Sequence, residues 1–228
     1  IGRHTSLHQN HNDRVNSAGF SVGTHVFYSP DNWNGFYIAG AANVGFDENH
    51  SKRRIAISDY RRTAKGHYTS VGASGLAALG KDFFAGNVSF GPIVTAEYGV
   101  TRREGFTERG GDGVNLRIKG GSEDTFATTV GGHLSGFSRT ETGLRLAANL
   151  TAGWKHEFTG SGYTATASFA GYPGTAFETR TERGARDGFV IQGTASLQSP
   201  GRRVFANLTS GYAHDTGFNV GFEAGFRF

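Results

Sequence analysis

The final segment of this 228-residue chain, 218–228, alternates without a break. Phe218, Val220, Phe222, Ala224, Phe226 and Phe228 fall on one side, and Asn219, Gly221, Glu223, Gly225 and Arg227 fall on the other. Successive side chains of a strand point to opposite faces, so the segment predicts a strand with one apolar and one wet face. A chain that closes on an aromatic residue in such a strand suggests a membrane-spanning β-barrel, apolar toward lipid and polar toward a water-filled interior.

Period-2 runs recur over most of the sequence, as expected of antiparallel strands joined by hairpins. They cover 18–28, 36–46, 67–80, 88–100, 126–136, 144–158, 163–169, 189–197 and 204–212, besides the terminal strand. The clearest is 144–158, where Leu144, Leu146, Ala148, Leu150, Trp154 and Phe158 oppose Arg145, Asn149, Lys155 and Glu157. A short piece, 114–118, makes an eleventh candidate. Most runs reach the length of a tilted bilayer crossing, about 9–11 residues. Single-chain barrels of this kind usually have an even strand count, so eleven candidates imply one more near the start. The fold class expected is all-β, an antiparallel up-and-down transmembrane barrel of about 12 strands (range 10–12). Residues 1–17 form a polar N-terminal segment, a linker, lumen segment or remnant of a first strand, and 18–228 form the barrel.

Composition excludes other classes. No window approaches the roughly 18 consecutive apolar residues of a spanning helix, and a mean hydropathy of −0.39 suits strands that give lipid only every second residue. Thirty-six glycines suit closely packed strands. No cysteine is present, which removes disulfides and thiolate sites. The formal charge of +4 is spread among interleaved acids, which argues against nucleic acid and for lumen-lining and lipid-contacting cations. No signal peptide opens the chain, so it reads as a mature or excised piece.

Connections alternate in length. With Phe228 at the periplasm, 159–162 and 199–202 are expected as short periplasmic turns, and 47–65, 102–112 and 171–187 as outer loops. The charged loop from Lys52-Arg53-Arg54 to Arg61-Arg62 would then lie at the level of lipopolysaccharide.

From about residue 34 to the end the pattern resembles the C-terminal translocator domain of autotransporters, the type V secretion barrel of Gram-negative bacteria. Phe90-Gly91-Pro92-Ile93-Val94-Thr95-Ala96-Glu97-Tyr98 is similar to the family's strand with Pro and Glu-Tyr. Gly105-Phe106-Thr107-Glu108-Arg109-Gly110 is similar to its Phe-x-Glu-x-Gly loop, and Leu150 to Phe158 to its aromatic strand. The resemblance implies a loop motif at Phe106, Glu108 and Gly110. It also implies a C-terminal signal for the outer-membrane assembly machinery at Phe218, Val220, Phe222, Phe226 and Phe228. Glu223 stands where the family often has Gly. The family's self-cleavage site of paired Asn has no counterpart, Asn10, Asn12 and Asn16 being isolated, so self-release is not expected.

Catalytic lookalikes are weaker than their structural readings. Gly19-Phe20-Ser21-Val22-Gly23 satisfies G-x-S-x-G but lies inside an alternating run with no helix after it, so Ser21 is expected to face the lumen. Gly75 to Lys81 nearly matches a phosphate-binding loop, yet Asp82 replaces the hydroxyl that would bind magnesium. His4, His8 and His11 could share a metal only on a helix, and a solvated polar stretch is the expectation. Glu97, Glu108 and Glu157 each have a basic neighbour in sequence or across the predicted lumen, which favours ion pairing over acid–base chemistry.

The expected function is therefore physical transport. The resemblance implies a barrel that exports or anchors an N-terminal passenger in cis, with Glu97, Arg145, Lys155 and Glu157 lining a charge-balanced lumen. Lipids and lipopolysaccharide are the expected surroundings, with no cofactor, metal, nucleic acid or enzymatic activity, and a monomeric state. A porin-like passive pore is the alternative, and a barrel-embedded hydrolase the less favoured one.

Overall fold

The computed structural model describes residues 2–10, 13–159, 164–180, 185–200, 204–213 and 217–226. Its strands are β1 (Gly2–Asn10), β2 (Asp13–Tyr28), β3 (Phe36–Ile57), β4 (Tyr60–Lys81), β5 (Phe83–Ala85), β6 (Val88–Arg103), β7 (Phe106–Thr107), β8 (Leu116–Ile118), β9 (Gly121–Arg139), β10 (Arg145–Glu157), β11 (Thr164–Phe169), β12 (Tyr172–Arg180), β13 (Asp187–Gln198), β14 (Val204–Ala213) and β15 (Gly217–Phe226).

Ten of these form the wall in the order β1-β2-β3-β4-β6-β9-β10-β13-β14-β15, every pair antiparallel. The short β5 pairs with β6 and continues the line of β4 beyond Asp82. This is the expected all-β meander, within the expected range of strand number. Among the described residues, β1 and β15 are the first and last strands of the sheet.

The two faces of the wall are opposite in character. Phe20, Val22, Val26 and Tyr28 of β2, Ile38, Val44 and Phe46 of β3, and Val71 and Leu79 of β4 are all exposed. So are Phe90, Val94 and Tyr98 of β6, Leu146, Leu150 and Trp154 of β10, Phe189, Ile191 and Leu197 of β13, and Val204, Leu208 and Tyr212 of β14. Register aligns them into apolar lines across strands, Phe20↔Phe46↔Val71 and Val94↔Val130↔Trp154↔Phe189. Rows such as 38–46, 71–79, 90–98 and 146–154 each match the ~9–11 residues of a tilted crossing. The exposed large residues of these rows therefore form a lipid-facing band.

Aromatics flank the band. Trp33 meets Tyr28 edge-on at 5.4 Å, and Lys81 Nζ lies 4.7 Å from the Phe36 ring and 5.2 Å from the Phe83 ring. At the opposite end Trp154 donates to Asp187 at 3.2 Å, and His156 stands edge-on to Phe158. Rings with a polar tip settle at the two membrane–water interfaces, so these girdles mark the limits of the apolar layer.

Three expectations are corrected. The candidates 114–118 and 163–169 are not wall strands: β8 and β11, with β7 and β12, make a separate four-stranded sheet in the order β12-β11-β8-β7. Alternation alone cannot separate the two roles, but β11 has six residues, short of a crossing. The expectation that 159–162 and 199–202 share one rim fails at the strand ends beside them; residues 160–162 and 201–202 themselves lie outside the described residues. β10 pairs directly with β13 from Arg145↔Gln198 to His156↔Asp187, so the end of β10 that leads into 159–162 and the end of β13 that leads into 199–202 lie at opposite rims. Finally, 47–65 is not an open loop. β3 and β4 have 22 residues each and stay paired from Phe36↔Lys81 to Ile57↔Tyr60, leaving only 58–59 as a turn. At about 3.3 Å per residue this hairpin runs well past a hydrocarbon layer of about 30 Å. Both its faces are mostly polar there, Ile55 and Ala64 being buried exceptions, because neither face meets lipid, which hid the period from the sequence.

Residues 2–10 and 13–17, assigned from sequence to the polar N-terminal segment, lie in β1 and β2, and β1 pairs with β2 from Gly2↔Ser21 to Asn10↔Asp13. The helical spacing of His4, His8 and His11 loses its basis, since 2–10 is a strand and His11 lies outside the described residues.

Candidate functional site

Side chains that alternate with the lipid band face a polar interior. A cavity of about 520 Å³ is lined by Ser21, Asn43, Asp47, Ser70, Thr101 and Glu123, among others. A second of about 410 Å³ shares Asn43, Ser74 and Thr125 with it and adds Glu97 of β6 and Gln192 of β13. β13 is far from β3 and β6 along the sheet, so its Gln192 reaches their cavity only because the sheet curls. Higher up, buried Asn49 accepts from Ser17 at 2.6 Å and donates to Ser70 at 3.0 Å, tying β2, β3 and β4 together on the inner face. Hydroxyls, amides and small residues dominate here, a surface that offers hydrogen bonds without a deep apolar trap.

Of the sequence-selected lumen residues, Glu97 lines the second cavity. Arg145, Lys155 and Glu157 alternate with outward Leu146, Leu150 and Trp154 on β10. None of these four makes an ion pair among the described residues. Ser21 lies on the cavity wall inside β2.

The Phe-x-Glu-x-Gly loop folds inward over the inner face of the protruding β3–β4 hairpin. Glu108 is 5% exposed and accepts from Arg53 Nε at 3.0 Å and Nη2 at 2.5 Å, and from the Leu116 amide at 2.9 Å. Arg53 Nη2 also donates to the Val114 carbonyl at 3.0 Å. The side-chain hydrogen bonds to Glu108, and then its charge, hold the Arg53 guanidinium above its usual range. Backbone bonds between Lys65 and Arg109 (2.8 and 2.9 Å) stitch the loop to β4, and Tyr60 donates to the Gly111 carbonyl at 2.8 Å. Gly110 has φ +90°, which glycine adopts without the Cβ penalty.

Phe106 stacks on Tyr68 at 4.6 Å, and a Cβ at Gly66 would run into its ring. Gly66→Val should therefore eject Phe106 and lower stability by about 1–3 kcal/mol. Thermal unfolding of the folded protein in detergent reads that loss, and adding Phe106→Ala should restore part of it. No recovery would mean that Gly66 serves the strand and not the ring.

At the turn end a second inward cluster escaped sequence reading. Tyr37 occupies the space over Gly80, where any Cβ would meet its ring. Tyr37 stands edge-on to His133 at 5.7 Å, and His133 Nε2 lies 2.6 Å from Asp82. These residues sit on three strands, β3, β4 and β9, and at the link after β4 (Asp82), so no spacing in the sequence announces them. Arg53 was likewise visible only as one cation in a basic run.

Of the proposed C-terminal signal, Phe218, Val220 and Phe222 project outward from β15. Phe226 is the last residue of that strand, and Phe228 lies outside the described residues.

A family model described as the autotransporter β-domain matches residues 2–209. Among solved structures, the chain is similar to the translocator domain of the autotransporter NalP from Neisseria meningitidis, with a TM-score of 0.64 and 15% identity. That match covers 98% of this chain and 72% of the other. No curated protein matches significantly.

Proposed function

We propose a mechanism from the premise that this chain belongs to the autotransporter β-domain family: it is an outer-membrane translocator barrel serving an N-terminal passenger in cis. The observation that carries the mechanism is the inversion of the wall, apolar outward across a bilayer-length band and polar inward along the cavities. An unfolded segment in that interior finds partners for its backbone in Asn43, Ser74, Glu97 and Gln192. None of them forms an apolar pocket that would hold the segment. Export is then a matter of passage and anchoring, and the barrel itself performs no chemistry. Because unpaired strand edges are excluded from lipid, β1 and β15 close on each other, directly or through further strands.

The proposed orientation puts the end of β15 in the periplasm and the β3–β4 hairpin outside. There Arg14, Lys52 and Lys65 stand side by side in register on the outward face, beyond Phe46 and Val71 and the Glu48 and His50↔His67 rungs. Like charges directly opposite one another repel, and phosphates of lipopolysaccharide supply the neutralising anions. The outward Phe218, Val220 and Phe222, with Phe226 and Phe228, are the strand offered to the assembly machinery.

In cells making the full protein, the β-domain should migrate faster on a gel unheated than boiled, and its passenger should be cleaved by external protease. Phe228→Asp should abolish both signals. Heat-modifiable protein with a passenger that stays sheltered would support a passive pore in place of a translocator.

A further inference from the structure

Above the lipid band, on the outward face of the β3–β4 hairpin, Glu48, His50 and His67 form an exposed cluster that the translocator mechanism does not use. His50 and His67 occupy directly opposed positions on paired strands, and their rings stack at 4.8 Å. Glu48 lies two residues before His50, hence on the same face. Its Oε1 is 2.8 Å from His67 Nε2 and 3.7 Å from His50 Nε2. One donor atom from each residue falls within 4.8 Å of the others.

We propose that this cluster is a binding site for a divalent transition cation of the zinc type. Zinc takes imidazole nitrogen and carboxylate oxygen at about 2.0–2.2 Å, which places ligands in a tetrahedral site a little over 3 Å apart. The two distances from Glu48 to the histidines bracket that spacing, so small side-chain rotations would bring all three onto one ion. Two imidazoles and one carboxylate favour Zn²⁺, Cu²⁺ or Ni²⁺ over Mg²⁺ and Ca²⁺, which take oxygen ligands. Water would complete the open fourth position. The backbone is already arranged, because the β3–β4 ladder continues past these residues to Ile57↔Tyr60. A bound ion would clasp β3 to β4 on the outer face, opposite the clasp that Glu108 and Arg53 make on the inner face.

The test is calorimetric titration of ZnCl₂ into the untagged, folded chain in detergent, with MgCl₂ as the comparison. One Zn²⁺ per chain in the micromolar range is expected, with no heat from Mg²⁺. His50→Ala and His67→Ala should each weaken binding by about tenfold or more, the scale that even an outer partner of a metal ligand commands. The variants must keep heat-modifiable migration, which separates a lost ligand from a lost fold. The proposal is overturned if Zn²⁺ does not bind, or if His50→Ala/His67→Ala binds it unchanged, which would move the ion to other histidines.

Discussion

Replacing Arg53 with Met should release the inward loop, at a cost of about 3–5 kcal/mol. The partners of this pair are not equally sheltered, their side chains being 30% exposed for Arg53 and 6% for Glu108. Removing Arg53 strands a carboxylate that water scarcely reaches, keeping only the Leu116 amide at 2.9 Å. Removing the Glu108 charge leaves a guanidinium that can turn to solvent and still hold the Val114 carbonyl. Glu108→Gln should therefore be milder, since the amide oxygen can still accept from Arg53. Amide exchange at Arg109 and Leu116 reads the opening of the loop, the first through its bond to Lys65. In Arg53→Met, exchange should accelerate by about a hundredfold or more, and in Glu108→Gln by much less. Unchanged exchange in Arg53→Met would show that Phe106 and the backbone bonds suffice.

The second large effect concerns the faces of the wall. Val94 is exposed on the lipid side, in register with Leu79 and Val130. Ser74, on neighbouring β4, lines both interior cavities. An arginine facing lipid near the bilayer midplane costs about 2–4 kcal/mol, whereas a lumen position tolerates one. Val94→Arg should thus reduce the heat-modifiable fraction in lipid vesicles by more than tenfold, while Ser74→Arg should insert like the parent. Asp47 and Glu123 on the same cavity wall would further favour that arginine. If Ser74→Arg failed and Val94→Arg inserted, the lipid and lumen faces would have to be exchanged.

These expectations rest unevenly on sequence. The fold class was legible because alternation is a local property: Val94 and Glu97 have opposite parity whatever the rest of the chain does. The loop motif was legible as a pattern, but its bonding was not. Glu108 is 55 residues from Arg53, and the basic run around Arg53 shows no period that would single it out. Alternation also misled where length mattered, since Ala165, Ala167 and Phe169 look like a wall strand and belong to a sheet at the rim.

The sequence by itself determined that this is a strand-built membrane wall with an apolar and a polar face, because every second side chain must answer to lipid or to water. Only the tertiary structure decided which alternating runs are staves and which make the sheet at the rim. It also decided that 47–65 stays a hairpin, that the Glu108 loop turns inward, and that Glu48, His50 and His67 meet. Those outcomes depend on strand register and on contacts between residues far apart in the chain. A period of two leaves both undetermined, since each shift of register by two residues preserves the same faces.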